Sequence, residues 1–122
     1  MADFDPNIPI YLQIMNILKQ DIVSGTLSQG DRLVSVRDYA EKLSVNPNTV
    51  QRAYQELERE GITETRRGMG SYISDNPDLI RALKSEMARD ITNTFLDGMR
   101  HLGFSHEEIL TELRKTIKGG RR

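Results

Sequence analysis

At 122 residues the chain has room for one compact domain and a small appendage. It has no cysteine, which excludes disulfides and thiolate metal sites, and no apolar run near the roughly 20 residues that cross a bilayer. The formal net charge of −1 excludes a nonspecific nucleic-acid coat, which would be basic throughout.

The acidic start Met1-Ala2-Asp3-Phe4-Asp5 lacks the basic opening and apolar core of a signal peptide, so a cytoplasmic location and no membrane partner are expected. From residue 8 to 23 the chain predicts a helix. Pro9 suits its start, Gly25 its end, and Ile10, Ile14, Ile17, Leu18 and Ile22 fall on one side. Thr26 to Gly30 is a turn into a short extended piece, Arg32-Leu33-Val34. Ser35-Val36-Arg37-Asp38 has the Ser-x-x-Asp cap pattern and opens a helix to about Leu43, with Val36, Tyr39, Ala40 and Leu43 at helical spacing.

Only Ser44 and Val45 separate that helix from a second cap, Asn46, followed by Pro47 at the first helical position. In this next helix Val50, Ala53, Tyr54 and Leu57 form an apolar stripe. The opposite face carries Asn48, Thr49, Gln51, Arg52 and Gln55, side chains able to bond base edges and phosphates. Two short helices joined by about three residues make a helix-turn-helix, with the second as recognition helix. It should end near Glu60, with Gly61 as the left-handed residue beyond it.

Two β-like pieces follow, Ile62-Thr63-Glu64-Thr65 and Ser71-Tyr72-Ile73-Ser74. Between them Arg66-Arg67-Gly68-Met69-Gly70 reads as a glycine-permitted hairpin with both arginines at its tip, facing a DNA backbone that relieves their mutual repulsion. The expected unit is a winged helix-turn-helix over residues 1–75. Residues 1–75 hold eight Lys or Arg against eleven Asp or Glu, a net of −3; the other 47 hold nine against seven, a net of +2. Positive charge for DNA must therefore be focused at Arg37, Arg52, Arg66 and Arg67.

Asp75-Asn76-Pro77-Asp78 marks a boundary. Beyond it a long helix is expected from about Leu79 to Leu102, carrying Ile80, Leu83, Met87, Ile91, Phe95, Met99 and Leu102 at three- or four-residue spacing and stopped by Gly103. Ser105-His106-Glu107-Glu108 is a capping box for a second helix with Ile109, Leu110, Leu113 and Ile117, and Gly119-Gly120-Arg121-Arg122 is a frayed end. A two-helix unit over residues 76–122 is too short for a core of its own. Its stripe (Leu83, Met87, Ile91, Phe95, Met99, Leu102, Ile109, Leu113) points to pairing with a second copy. A two-fold dimer would present two recognition helices to an inverted repeat, about one turn of double-stranded DNA or more apart. The fold class expected is thus mainly α with a small β-hairpin.

The run Pro9-Ile10-Tyr11-Leu12-Gln13-Ile14, then Gly30-Asp31-Arg32-Leu33, Ser35-Val36-Arg37, Asn46-Pro47-Asn48-Thr49-Val50, Tyr54-Gln55-Glu56-Leu57-Glu58 and Gly68-Met69-Gly70-Ser71-Tyr72-Ile73 resembles the GntR family of bacterial transcription regulators. The short two-helix tail resembles its YtrA branch, and the likeness spans residues 8–118. The resemblance implies a dimeric repressor. It implies DNA contacts at Arg37, at Asn46, Asn48, Thr49 and Gln51, and at Arg67 and Gly68 on a wing that reaches the minor groove. It also implies control of a transporter operon. The chain departs from the family at Val34, where Pro is frequent, and at Pro47 and Gln51, where Arg is frequent. Two base-reading arginines are missing, and Arg52 is a candidate either for one of those roles or for a phosphate contact.

Other chemistry has less support. His101, His106 and Glu107 match no standard metal-ligand spacing, so no metal or cofactor is expected. Glu56, Glu58 and Glu60 do not share a helix face, and there is no nucleotide loop or nucleophile motif, so enzyme activity is not expected. The tail is small for a ligand pocket within one chain, which leaves a small-molecule effector to sit between tail helices of a dimer or beneath them. The competing function is a winged-helix module for protein interaction, which would show exposed apolar residues in place of the arginines and the amide face.

Overall fold

The computed structural model describes residues 3–119. In chain order the elements are α1 (Ile10–Ser24), α2 (Val36–Leu43), α3 (Pro47–Arg59), β1 (Thr63–Arg66), β2 (Gly70–Ile73), α4 (Pro77–His101) and α5 (His106–Gly119). The chain divides into two compact units, Met1–Lys84 and Ser85–Arg122. The division falls inside α4 and not at Pro77, the point where local sequence chemistry changes from strand to helix.

In the first unit α3 is the central element, packing against α1, α2 and β1. Its stripe is buried as expected: Val50, Ala53 and Leu57 are 0% exposed and Tyr54 6%. Ile14, Met15, Leu18 and Ile22 of α1 and Tyr39, Ala40 and Leu43 of α2 are buried with them. Ile10, expected on the apolar side of α1, is exposed, and Met15 is buried in addition. The helix ends follow cap chemistry. Ser35 Oγ accepts from the Asp38 N–H, and Asn46 Oδ1 accepts from the Asn48 N–H at 2.7 Å. At the end of α3 the Gly61 N–H donates to Glu58 and the Ile62 N–H to Leu57, the paired bonds of a Schellman motif, with Gly61 at φ 79°. The α2–α3 turn uses the same device without glycine: Ser44 stands at φ 59°, and the Val45 N–H reaches the Ala40 carbonyl.

The Ile62 N–H closes α3 while its carbonyl accepts from the Ser74 N–H at the base of the hairpin, and the strands pair one residue further towards the tip than expected. Thr63 faces Ile73, Glu64 faces Tyr72, Thr65 faces Ser71 and Arg66 faces Gly70. Arg66 is therefore the last residue of β1, and the turn consists of Arg67, Gly68 and Met69. The segment Gly30–Leu33 runs along the other edge of β2. Gly30 donates to Ile73, Leu33 to Ser71 and Ile73 to Asp31, with an antiparallel bridge between Arg32 and Tyr72.

In the second unit the helix turn uses Gly103 at φ 89°, with the Phe104 N–H on the Met99 carbonyl. The capping box of α5 is reciprocal: the Glu108 N–H donates to Ser105 Oγ, and the Ser105 N–H donates to Glu108 Oε1. Two members of the expected pairing stripe are buried within the chain itself, Leu83 at 6% and Ile109 at 3% exposed. A helical period marks an apolar face and does not say which protein covers it, so these two are removed from the free stripe. Ile91, Phe95, Leu102, Leu110, Leu113 and Ile117 are exposed, and Met87 and Met99 half-buried. Of the expected frayed end, Gly119 closes α5, and Gly120, Arg121 and Arg122 lie outside the described residues. No helix among the described residues is long and apolar enough to cross a membrane.

Candidate nucleic-acid interface

The candidate interface is built on α3. With its stripe inward, the N-terminal half of the helix presents Asn48, Gln51 and Arg52 to solvent, with Thr49 half-buried at the flank and Gln55 one turn further on. Asn46 is exposed, but its carbonyl oxygen is committed to the cap, leaving its amide N–H₂ as the free donor. The acidic residues of α3 and its C-cap all lie at its C-terminal end and each is occupied. Glu56 pairs with Arg59 at 3.1 Å, Glu58 accepts from Thr65 Oγ1 at 2.8 Å, and Glu60 pairs with Lys19 at 2.9 Å. The half with free amide and hydroxyl groups is also the half with the positive end of the helix dipole. An acidic domain thereby keeps one local surface suited to an anion.

Arg37 lies in the first turn of α2, exposed and with no ion pair among the described residues. Its placement is set from behind. Tyr54 Oη of α3 donates to the Val34 carbonyl at 2.6 Å, which fixes the entry to α2 where the chain has Val34. Burial raises the Tyr54 hydroxyl pKa, with Tyr39 adding to the effect, and burial followed by the Asp21 charge raises that of Tyr39. Both phenols are therefore neutral donors at ordinary pH.

The hairpin carries a correction to the expected pair of tip arginines. Arg66 turns back, its guanidinium 4.0 Å from the centre of the Tyr72 ring and 3.1 Å from Glu64 Oε1. Its charge is offset within the wing, so repulsion between adjacent arginines is not the force that shapes the tip. Arg67 is the exposed cation of the turn. Gly68 stands at φ 73° with open space around it, which suits close approach to a ligand, whereas Gly70 at φ 97° is required from inside. A Cβ there would lie 3.0 Å from Arg32 Nε.

Arg52 is held against α1. Its guanidinium lies 3.9 Å from the centre of the Tyr11 ring, and Nη2 donates to Tyr11 Oη at 3.3 Å. Tyr11 and Arg32 are thus members of the surface that local pattern reading did not single out. Both lie in runs that carry the family resemblance, but spacing gave no role to either, because the contacts that place them cross from one element to another. Among the described residues no cluster of His, Asp and Glu suits a metal ion; His101 Nδ1 sits 2.7 Å from the Asp97 carbonyl of its own helix.

Comparison with known proteins agrees with this geometry. Residues 10–73, from the start of α1 to the end of β2, match the model of the bacterial regulatory proteins, gntR family. The HTH-type transcriptional repressor YtrA of Bacillus subtilis is 37% identical, over 100% of this chain and 98% of its own. The uncharacterized HTH-type transcriptional regulator YhcF of Bacillus subtilis is 41% identical over 96% and 97%. A solved structure, a GntR family transcriptional regulator from Listeria monocytogenes, superposes with a TM-score of 0.87 at 43% identity, covering 92% of this chain and 98% of that one. These likenesses span the tail helices as well as the winged head, and the chain belongs to the GntR family of bacterial regulatory proteins.

Proposed function

We propose that the protein is a dimeric transcriptional repressor that binds an inverted-repeat operator in double-stranded DNA. The observation that carries this is the division of α3 into a fully buried back and a front of amides, hydroxyl and arginine free of acidic neighbours in its first half. An interaction module would offer apolar groups on that front. In this reading Asn48, Thr49 and Gln51 select bases, and Arg37, Arg52 and Arg67 contact the backbone. Asn46 supplies an amide donor, Gly68 and Gly70 shape the tip for minor-groove entry, and Arg66 stiffens the wing through Tyr72. The naming of a relative as a transcriptional repressor supports the sign of regulation, and a transporter operon as target rests on the resemblance to the YtrA branch.

Dimerisation is supported by the second unit. Among the described residues it buries one large apolar side chain, Ile109, and exposes Ile91, Phe95, Leu102, Leu110, Leu113 and Ile117. A second copy would cover that face, with Met87 and Met99 filling its irregularities. Leu96, Arg100, His106, Ile109 and Leu110 line a groove of about 320 Å³, room for a small apolar effector with an anionic end for Arg100. Such an effector would act by changing the spacing of the two heads.

Selection from a randomised duplex library tests the function. The expected result is enrichment of an inverted repeat with a fixed centre-to-centre spacing. Enrichment of isolated half-sites would contradict the dimer, and no enrichment by the folded protein would contradict sequence reading and favour the protein-interaction module.

A further inference from the structure

We infer that Tyr11 and Arg52 form one composite phosphate clamp, in which Tyr11 donates to the phosphate beside Arg52 and also withdraws Arg52 from base reading. The inference rests on the DNA-binding reading above and assigns a role within it. Arg52 follows Asn48 by one helical turn on the outward face of α3, where an extended arginine could lie bidentate on a guanine edge. It is not extended. The guanidinium is stacked on the Tyr11 ring at 3.9 Å and bonded to its hydroxyl at 3.3 Å, on the flank of α3 that α1 covers. The Lys19–Glu60 pair marks the same flank at the other end of the two helices.

Stacking draws the charge back along the helix and fixes its plane. The bond to Tyr11 has a second consequence. Oη accepts from Nη2, so the tyrosine's own proton is left to donate. Two donors, one of them charged, then project together from the α1–α3 seam. That is a match for a tetrahedral phosphodiester oxygen pair, and it carries no base information. Tyr11 is anchored for this task by its helix start. Gln13 Nε2 bonds the carbonyls of Asp5 and Ile8, and Gln13 Oε1 accepts from the Asp5 N–H, tying the preceding segment down onto the first turn of α1. With Arg52 withdrawn, base selection falls to the amides of Asn48 and Gln51.

The test is library selection and salt-dependent fluorescence anisotropy on the selected duplex, for the native chain, Tyr11→Phe, Tyr11→Leu, Arg52→Ala and the Tyr11→Phe/Arg52→Ala double variant. Arg52→Ala should weaken binding about tenfold on every sequence and lower the salt slope by about 1, with base preferences intact. Tyr11→Phe should weaken binding less, and because the Tyr11 hydroxyl is oriented by its bond to Arg52, the double variant should bind little worse than Arg52→Ala alone. Tyr11→Leu frees the guanidinium and should add a guanine preference at one position per half-site, a change that a merely structural role for Tyr11 would not produce. Loss of preference at a single position in Arg52→Ala, or additive losses in the double variant, overturns the clamp while leaving the DNA-binding reading in place. Absence of enrichment by the native chain overturns both. If Tyr11→Leu fails to fold, Arg52→Ala and the double variant decide the matter, since Arg52 is exposed.

Discussion

The two units of this chain treat their apolar residues in opposite ways. Of the sixteen buried hydrophobic residues among those described, fifteen belong to Met1–Lys84 and one, Ile109, to Ser85–Arg122. The first unit closes three helices and a hairpin over one core, though Ile8, Ile10, Leu12, Val34 and Met69 stay exposed around it. The second leaves six large apolar side chains 38–73% exposed, so covering each would gain roughly half of the about 1.5–3 kcal/mol of a full burial. The head thus holds a core of its own, whereas in the proposed dimer the tail would gain its core from a second copy. In that proposed dimer the same hydrophobic effect would supply stability in one unit and association in the other.

The comparison can be broken most severely at Leu57, which is 0% exposed. Leu57→Ala should cost about 2–5 kcal/mol in denaturant unfolding and abolish DNA binding with it. The matching change in the tail should do something different. Phe95→Glu should shift sedimentation from dimer to monomer and leave the head's thermal transition in place. Operator affinity should fall by about 10²–10⁴, the gain from linking two heads. A head that unfolds with Phe95→Glu would erase the distinction.

Smaller changes sharpen it. The raised pKa values of Tyr39 and Tyr54 mean that the fold favours the protonated phenols. Their contribution is fully present below the ordinary tyrosine pKa of about 10 and is lost as pH rises above it. Head stability should accordingly fall above that pH. In Tyr54→Phe the fall should be shallower, from a starting stability lower by about 1 kcal/mol through loss of the bond to Val34. Caps offer a like-for-like test of the two units. Asn46→Ala should lower head stability by about 1 kcal/mol, whereas Ser105→Ala should lower the tail's association and leave the head's melt unchanged. The smallest effect expected is a gain. Ser44→Gly relieves a left-handed serine in the helix-turn-helix and should raise stability by up to about 1 kcal/mol in the same unfolding measurement.

The head was largely legible in the sequence because its determinants are local. Val50, Ala53, Tyr54 and Leu57 announce the buried face of α3 by spacing alone, and Ser35, Asn46 and Gly61 mark helix ends through bonds to residues two to five positions away. What local pattern could not reveal depends on long-range contact. Arg66 lies off the hairpin tip because the ladder runs one pair further than expected, with Arg66 facing Gly70, and because its guanidinium turns back onto Tyr72. Leu83 and Ile91 share one stripe, yet one is 6% exposed and the other 67%, a difference set by tertiary packing and not by period. Tyr11 and Arg52 are 41 residues apart, and no periodicity links them.

The central claim is that two self-sufficient heads act together because their tails are not self-sufficient. Sedimentation equilibrium of the full chain, alone and with the selected duplex, tests it most directly. The account expects a dimer of 13.9 kDa chains without DNA, and two chains on each inverted repeat. A monomer in free solution at concentrations where the operator is saturated by single chains would contradict it.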